Sequence, residues 1–284
     1  MDRSLPAAPK LVILDLDGVV YRGRQPIPGA AALVAALRRR GILTRFATNN
    51  SMATRDAYVA RLAEMGIATE LEEIVTSTSA TIEHLRAHLP DVRTLLAVGA
   101  GGMLDELRAA GYEATGAADA VEAGYDGGPL DVSYDAVIAG LDPAFDYRRL
   151  GAATSALREG ARFIATNADL RYPTSAGFLP GAGSIIAALR AASGVEPLVI
   201  GKPEPGIFLA IVEQAGLRAN EVWAIGDNPD ADIVAAHRAG IGSILVLTGV
   251  ADAATASQLS GERRPDRVAN DPAEVASLLG LQLS

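Results

Sequence analysis

The run Leu11-Val12-Ile13-Leu14 places four aliphatic side chains in succession with no polar alternation. A strand written this way has no face to offer water, so it belongs inside a parallel sheet covered on both sides by helices. Comparable apolar runs recur at Leu95-Leu96-Ala97-Val98, Ala136-Val137-Ile138-Ala139, Phe163-Ile164-Ala165, Leu198-Val199-Ile200 and Val222-Trp223-Ala224-Ile225, with further segments at 42–49, 74–76 and 243–247. Segments of helical composition separate them, among them 29–37, 53–65, 103–110, 147–158 and 185–192. Strand and helix in alternation predict an α/β fold with a Rossmann-like, doubly wound parallel sheet.

A length of 284 residues suggests about two domains, and the alternation restarts near residue 82 instead of simply continuing. We therefore expect a core made of 1–81 and 181–284, with 82–180 as an inserted α/β unit. Pro180-Gly181-Ala182-Gly183-Ser184 is the expected return to the core. The stretch from Gly116 to Asp131 reads as loop or irregular strand, and Pro272 to Leu279 as a short amphipathic helix covering the sheet.

Several kinds of chemistry are excluded. A net charge of −9, a pI near 4.9 and only 5% aromatic residues leave no basic, ring-bearing surface for nucleic acid. The absence of cysteine removes disulfides, iron–sulfur clusters and thiolate zinc sites. His84 and His88 have the spacing of a helical metal pair but lack the H-E-x-x-H order, and read as solvated helix surface. Gly99-Ala100-Gly101-Gly102 misses the third glycine of a dinucleotide fingerprint, position 104 being Leu, and reads as a tight turn into a helix. Without a cleavable leader or a run of about 18 apolar residues, the expectation is a cytoplasmic chain with no membrane partner.

What remains is polar and falls at strand ends, where open α/β sheets bind ligands. Asp15 and Asp17 follow the first strand, and would share a face if strand geometry persisted that far. Thr48-Asn49-Asn50-Ser51 follows the second, offering hydroxyl, amide and backbone N–H groups suited to phosphate oxygens. Lys202 follows 198–200, where a buried ammonium must meet an anion. Asp227, Asp230 and Asp232 follow 222–225. Each cluster taken singly also fits a turn or helix cap; an EF-hand is excluded because Val19, Val20 and Tyr21 stand where oxygen ligands belong.

In this order the clusters resemble the four motifs of the haloacid dehalogenase superfamily of phosphohydrolases: Asp15-Leu16-Asp17-Gly18, Thr48-Asn49, Lys202, and Gly226-Asp227 with Asp232. Asp17-Gly18-Val19-Val20-Tyr21-Arg22-Gly23, Gly140-Leu141-Asp142, Leu179-Pro180-Gly181-Ala182-Gly183 and Gly201-Lys202-Pro203 further resemble the subclass of phosphoglycolate, pyridoxal-phosphate and nitrophenyl phosphatases. That subclass carries a cap domain between its second and third motifs. The resemblance implies a phosphatase in which Asp15 is the nucleophile, Asp17 the general acid and base, and Thr48, Asn49, Asn50 and Lys202 the phosphate ligands. It also implies Mg²⁺ held by Asp15, Asp227 and the backbone carbonyl of Asp17, with Asp232 orienting Lys202 or a metal-bound water. The chain departs from the subclass at Asn228-Pro229 and Ala231, where Arg and Thr are common.

The implied partner is a small phosphorylated metabolite, with self-association through the inserted unit left open. Transfer to another hydroxyl, or binding without turnover, stay open as alternatives to hydrolysis. An echo adds one more expectation: Arg45-Phe46-Ala47-Thr48-Asn49 recurs as Arg162-Phe163-Ile164-Ala165-Thr166-Asn167. The loop after the second copy, with Asn167, Asp169 and Arg171, is the expected contact for the variable part of the substrate.

Overall fold

The structure, a computed structural model, describes residues 9–174 and 177–283. The chain divides into two compact units, one of Met1–Thr48, Arg55–Val75 and Lys202–Ser284, the other of Asn49–Thr54 and Thr76–Gly201.

In the first unit the strand Leu11–Asp15 sits centrally in a six-stranded sheet, in the order Arg267–Ala269, Gly242–Val246, Val222–Gly226, Leu11–Asp15, Leu43–Thr48, Ile74–Thr76. It pairs in parallel with both neighbours, Leu11 opposite Leu43 and Val222, and Asp15 opposite Ala47. Leu11 to Leu14 are fully buried, as their uninterrupted apolar run requires. The helix Ala30–Arg39 buries Ala30, Leu33, Val34 and Leu37, the i, i+3, i+4, i+7 stripe of an amphipathic helix. Its basic end is structural: both Glu73 carboxylate oxygens accept from Arg38 Nη2 (3.0 and 2.9 Å), and Thr44 Oγ1 accepts from Arg38 Nε at 3.1 Å. The closing helix runs Pro272–Leu278, capped by the Asp271 side chain and buried through Val275 and Ala276.

The second unit has its own five-stranded parallel sheet, in the order Leu198–Val199, Arg162–Ala165, Ala136–Ala139, Thr94–Val98, Glu113–Gly116. Its core joins Val137, Ala139, Phe163 and Ala165 from the strands to Ala153, Leu157, Ile185, Ile186 and Leu189 from two helices.

This placement moves the expected boundaries. The helix Ala182–Ser193 and the strand Leu198–Val199 belong to the second unit, so the chain passes into the first only at Lys202. The reason is burial: Ile185, Ile186 and Leu189 fill the second core, and Ile200 N–H continues the pairing by donating to Ala165 O. The helix Ser77–His88 likewise begins within the second unit, ahead of residue 82. The stretch expected to be irregular from Gly116 instead contains a helix, Ala117–Glu122, which buries Ala117 and Ala120. Among the described residues no helix is long and apolar enough to cross a membrane.

Leu37 is fully buried and distant in sequence from every strand-end motif, so Leu37→Ala should destabilise the first unit by about 2–5 kcal/mol. The chain's one tryptophan, Trp223, is buried in the strand Val222–Gly226, and a denaturant titration followed by its fluorescence would measure the shift. An unchanged midpoint would contradict the packing described.

Candidate active site

Asp15 is the last residue of the central strand, Thr48 the last of its neighbour on one side, and Asp227 follows the last residue of its neighbour on the other. The chain builds outward from Leu11–Asp15 in both directions, so this end of the strand is a topological switch point, where α/β sheets leave a crevice.

The strand stops at Asp15, and Asp17 does not continue it. Leu16 O accepts from the N–H groups of Val20 and Tyr21 at 2.9 and 3.1 Å, and Gly18 takes φ +89° to make the turn. The two acids therefore do not share a strand face. A short hairpin of Tyr21–Arg22 and Gln25–Pro26 follows.

Lys202 is only 3% exposed, and its Nζ donates to Asp15 Oδ1 at 2.5 Å and to Asp232 Oδ1 at 2.7 Å. Asp232 Oδ2 in turn accepts from the backbone N–H groups of Asp227 (3.2 Å) and Asn228 (3.0 Å). One carboxylate thus anchors the lysine and fixes the loop that carries Asp227. The departure at Asn228-Pro229 leaves that arrangement in place, with Asn228 Oδ1 accepting from Asp230 N–H at 3.0 Å at the start of the π-helical turn Pro229–Ile233.

Asp227 lies against two glycines: a Cβ on Gly18 or on Gly249 would overlap its carboxylate. Its Oδ2 accepts from Val250 N–H at 2.6 Å, and Thr248 Oγ1 donates to Gly18 O at 2.6 Å. The segment Thr248-Gly249-Val250 was not among the expected site residues; its signal is a Thr-Gly pair directly after a buried strand. Arg61 was also missed. Its guanidinium stands 5.4 Å from the Tyr21 ring centre and 5.8 Å from that of Tyr58, and its charge acts on Asp17. Nothing in its helical surroundings in the sequence marks it.

Carboxylate oxygens of Asp15, Asp227 and Asp232 lie within 4.8 Å of one another. Burial pushes Asp15 up to about 7, with Asp232 and Asp17 adding to the rise and Lys202 opposing it. Burial likewise lifts Asp227 well above the ordinary carboxylate range, reinforced by Asp232 and Asp15. For Lys202 burial acts downward, but Asp15 and Asp232 outweigh it and hold the ammonium charged. Ionised together, the three acids would outweigh the one ammonium, and an all-oxygen set of this kind fits a hard divalent cation. Asp232 has both oxygens engaged, one by Lys202 and the other by two backbone N–H groups, so Asp15 and Asp227 are the side chains that would hold such an ion. The Asp17 carboxyl stands outside the cluster; partial burial raises it, against the Gly23 backbone N–H and the charges of Arg61 and Arg22.

Of the remaining expected residues, Asn49, Asn167 and Asp169 meet within the second unit. Asn49 Nδ2 donates to Asp169 Oδ2 at 2.9 Å, and Asn167 Nδ2 donates to Asp169 Oδ2 at 3.0 Å and to Asn49 O at 2.9 Å. Ser77 Oγ also donates to Asn49 O, at 2.8 Å, and Asn50 Oδ1 accepts from Met52 N–H at 2.9 Å. Asn167 is 5% exposed. Arg171 is exposed, its guanidinium 5.6 Å from the Phe178 ring centre.

A carboxyl whose pKa is higher folded than unfolded stabilises the fold below its unfolded value, and loses that contribution as pH rises through its folded value. For Asp15 the window runs from the ordinary 3.8 to about 7. A cation competing with these protons should therefore raise the melting temperature little near pH 4 and progressively more toward pH 7. Thermal unfolding with and without Mg²⁺ across this range would show it; a gain independent of pH would remove the cation from Asp15.

Comparison with known proteins gives the family. A haloacid dehalogenase-like hydrolase family model matches residues 12–113, and a HAD-hydrolase-like model matches residues 199–275. An acid sugar phosphatase of Staphylococcus saprophyticus is 35% identical over 241 residues, covering 85% of this chain and 87% of its own. The crystal structure of a 4-nitrophenylphosphatase from Thermotoga maritima superposes with a TM-score of 0.85 at 30% identity, over 96% of this chain and 98% of its own. That of a glycerol phosphate phosphatase from Mycobacterium tuberculosis, in complex with magnesium, gives 0.81 at 34% identity, over 94% and 76%. With family models matching at both ends of the chain and relatives alike over nearly its whole length, the chain belongs to the haloacid dehalogenase-like hydrolases.

Proposed function

We propose that this haloacid dehalogenase-type phosphatase hydrolyses a phosphate monoester of a small metabolite, with Mg²⁺, through an aspartyl-phosphate on Asp15. The observation that carries the reading is the Asp15–Lys202–Asp232 chain of ion pairs beside Asp227 at the end of the central strand. An Asp15 oxygen forms a bond to the substrate phosphorus as the ester P–O bond breaks. Asp17 gives its proton to the departing alcohol oxygen. Water then attacks the same phosphorus, Asp17 takes a proton from it, and Asp15 leaves as carboxylate while inorganic phosphate is released. The upward shift of Asp17 suits a group that must hold a proton before the first step and accept one in the second.

Lys202 offers a fixed positive charge next to Asp15, placed before the substrate arrives. Thr48 and the backbone N–H groups of Asn49 and Asn50 receive the transferring oxygens. Mg²⁺ held by Asp15, Asp227 and the Asp17 backbone carbonyl would, when bound, neutralise charge on the phosphate so that it can enter an acidic site. The named relatives are an acid sugar phosphatase, a glycerol phosphate phosphatase and a 4-nitrophenylphosphatase, which supports a compact alcohol as leaving group. Arg171, exposed on its hairpin, carries the specificity part of the proposal. A cytoplasmic location is part of the same proposal, compatible with a chain that lacks cysteine.

Asp15→Asn should lower turnover by roughly a thousandfold or more, because the amide keeps the shape but removes the nucleophile. Chelation should abolish activity and added Mg²⁺ restore it. Phosphate release from a panel of esters measures both, and near-normal rates in either case would sink the covalent, metal-assisted route. Arg171→Ala should change the ranking of esters by kcat/KM while leaving the Mg²⁺ requirement alone. A uniform change across the panel would end its specificity role.

A further inference from the structure

Asp169 stands in the loop expected to meet the substrate, and its side chain is engaged by two residues of its own unit. A single oxygen, Oδ2, accepts from two carboxamides, those of Asn49 and Asn167. Asn167 spends the same NH₂ group on Asn49 O, and its own Oδ1 is buried with no protein partner. The orientation of the Asn167 amide therefore depends on its donors, and one of their two acceptors is Asp169. The loop reaches a second segment as well: Thr166 O accepts from Gly201 N–H at 2.8 Å. A Cβ on Gly201 would crowd Thr166 O, Asn49 Oδ1 and Asn167 Cβ, so only glycine fits against the loop there.

The two segments held this way are not arbitrary. Asn49 follows Thr48 in the chain, and Gly201 precedes Lys202. Both neighbours are phosphate-binding residues in the reading given above, and a peptide plane shared with a fixed residue is itself restrained.

We propose that Asp169, working through Asn167 and Asn49, is a positioning residue that sets the backbone of the phosphate-binding turn, and that it does not contact the variable part of the substrate. This rests on Thr48 to Asn50 being the phosphate-binding turn. Displacing that turn by a fraction of an ångström weakens every phosphoryl contact at once, whatever alcohol the ester carries.

The test measures inorganic phosphate binding by calorimetry in the presence of Mg²⁺, together with kcat/KM over a panel of esters. Asp169→Ala should weaken phosphate binding and lower kcat/KM by a common factor of about ten or more on every ester, as expected for losing a carboxylate that orders two donors. Asp169→Asn, which can present an acceptor oxygen to the same amides, should recover most of both. A thermal melt establishes that each variant is folded, and Asp169→Ser replaces the alanine variant if that one is not. Losses that differ from ester to ester with phosphate affinity unchanged would overturn the proposal and return Asp169 to substrate contact. Equal impairment of the asparagine and alanine variants would overturn it too. A wild-type chain that binds no phosphate would overturn this inference and the functional reading together. Undiminished turnover by Asp15→Asn would sink the covalent mechanism alone.

Discussion

The buried ammonium of Lys202 is the interaction on which the first unit's site depends. Taking such a charge out of water costs several kcal/mol unless partners restore what solvent gave it. Asp15 and Asp232 do so from two directions, and they come from the central strand and from the π-helical turn after Val222–Gly226. Removing either acid would leave a charge without its full complement, a change that costs about 3–5 kcal/mol in buried pairs. The three side chains that hold this charge are also those the proposed chemistry would use. The lysine that would meet a phosphoryl group is already held against the residue that would attack it.

The balance of charge then decides what else the site accepts. Asp227 adds a further carboxylate within reach of Asp15, and burial leaves both acids reluctant to ionise without a compensating cation. The protein secures this unfavourable grouping by backbone, not by side-chain bulk. Gly18 and Gly249 come so near Asp227 that neither position has room for a Cβ, and Val250 N–H fixes one carboxylate oxygen. The surrounding chain is tied in place by Thr248 Oγ1 donating to Gly18 O and by Asp227 N–H donating to Asp232.

The recurrence of a Thr-Asn pair after two strands has a physical outcome of a different kind. In the second unit Asn167 binds the backbone of Asn49, and Asp169 binds both side chains. The last residue of the second copy thus donates to the last residue of the first. Asn167 and Asp169 are thereby drawn inward, while Arg171, two residues beyond Asp169 on a hairpin strand, stays in solvent.

How much of this could be read from the chain follows from the range of each interaction. Leu11 to Leu14 announce a strand buried on both faces, Tyr147 to Arg158 a helix, and the acids after Leu14 and Gly226 a strand-end site, because strand burial, helix periodicity and turn chemistry are set by neighbours a few residues away. The amphipathic stripe of Ala182–Ser193 carries no such address. Its isoleucines would suit either sheet, and only the second core, with Val137 and Phe163 waiting, decided that the chain should return to the first unit at Lys202 and not at Pro180. The same holds for side-chain partners. That Lys202 must meet an anion follows from the cost of burial alone; that it meets Asp232 as well as Asp15, that Val250 N–H fixes Asp227, and that Asp169 serves Asn49 are matters of positions brought together across 23 to 187 residues, which no local pattern in the sequence encodes.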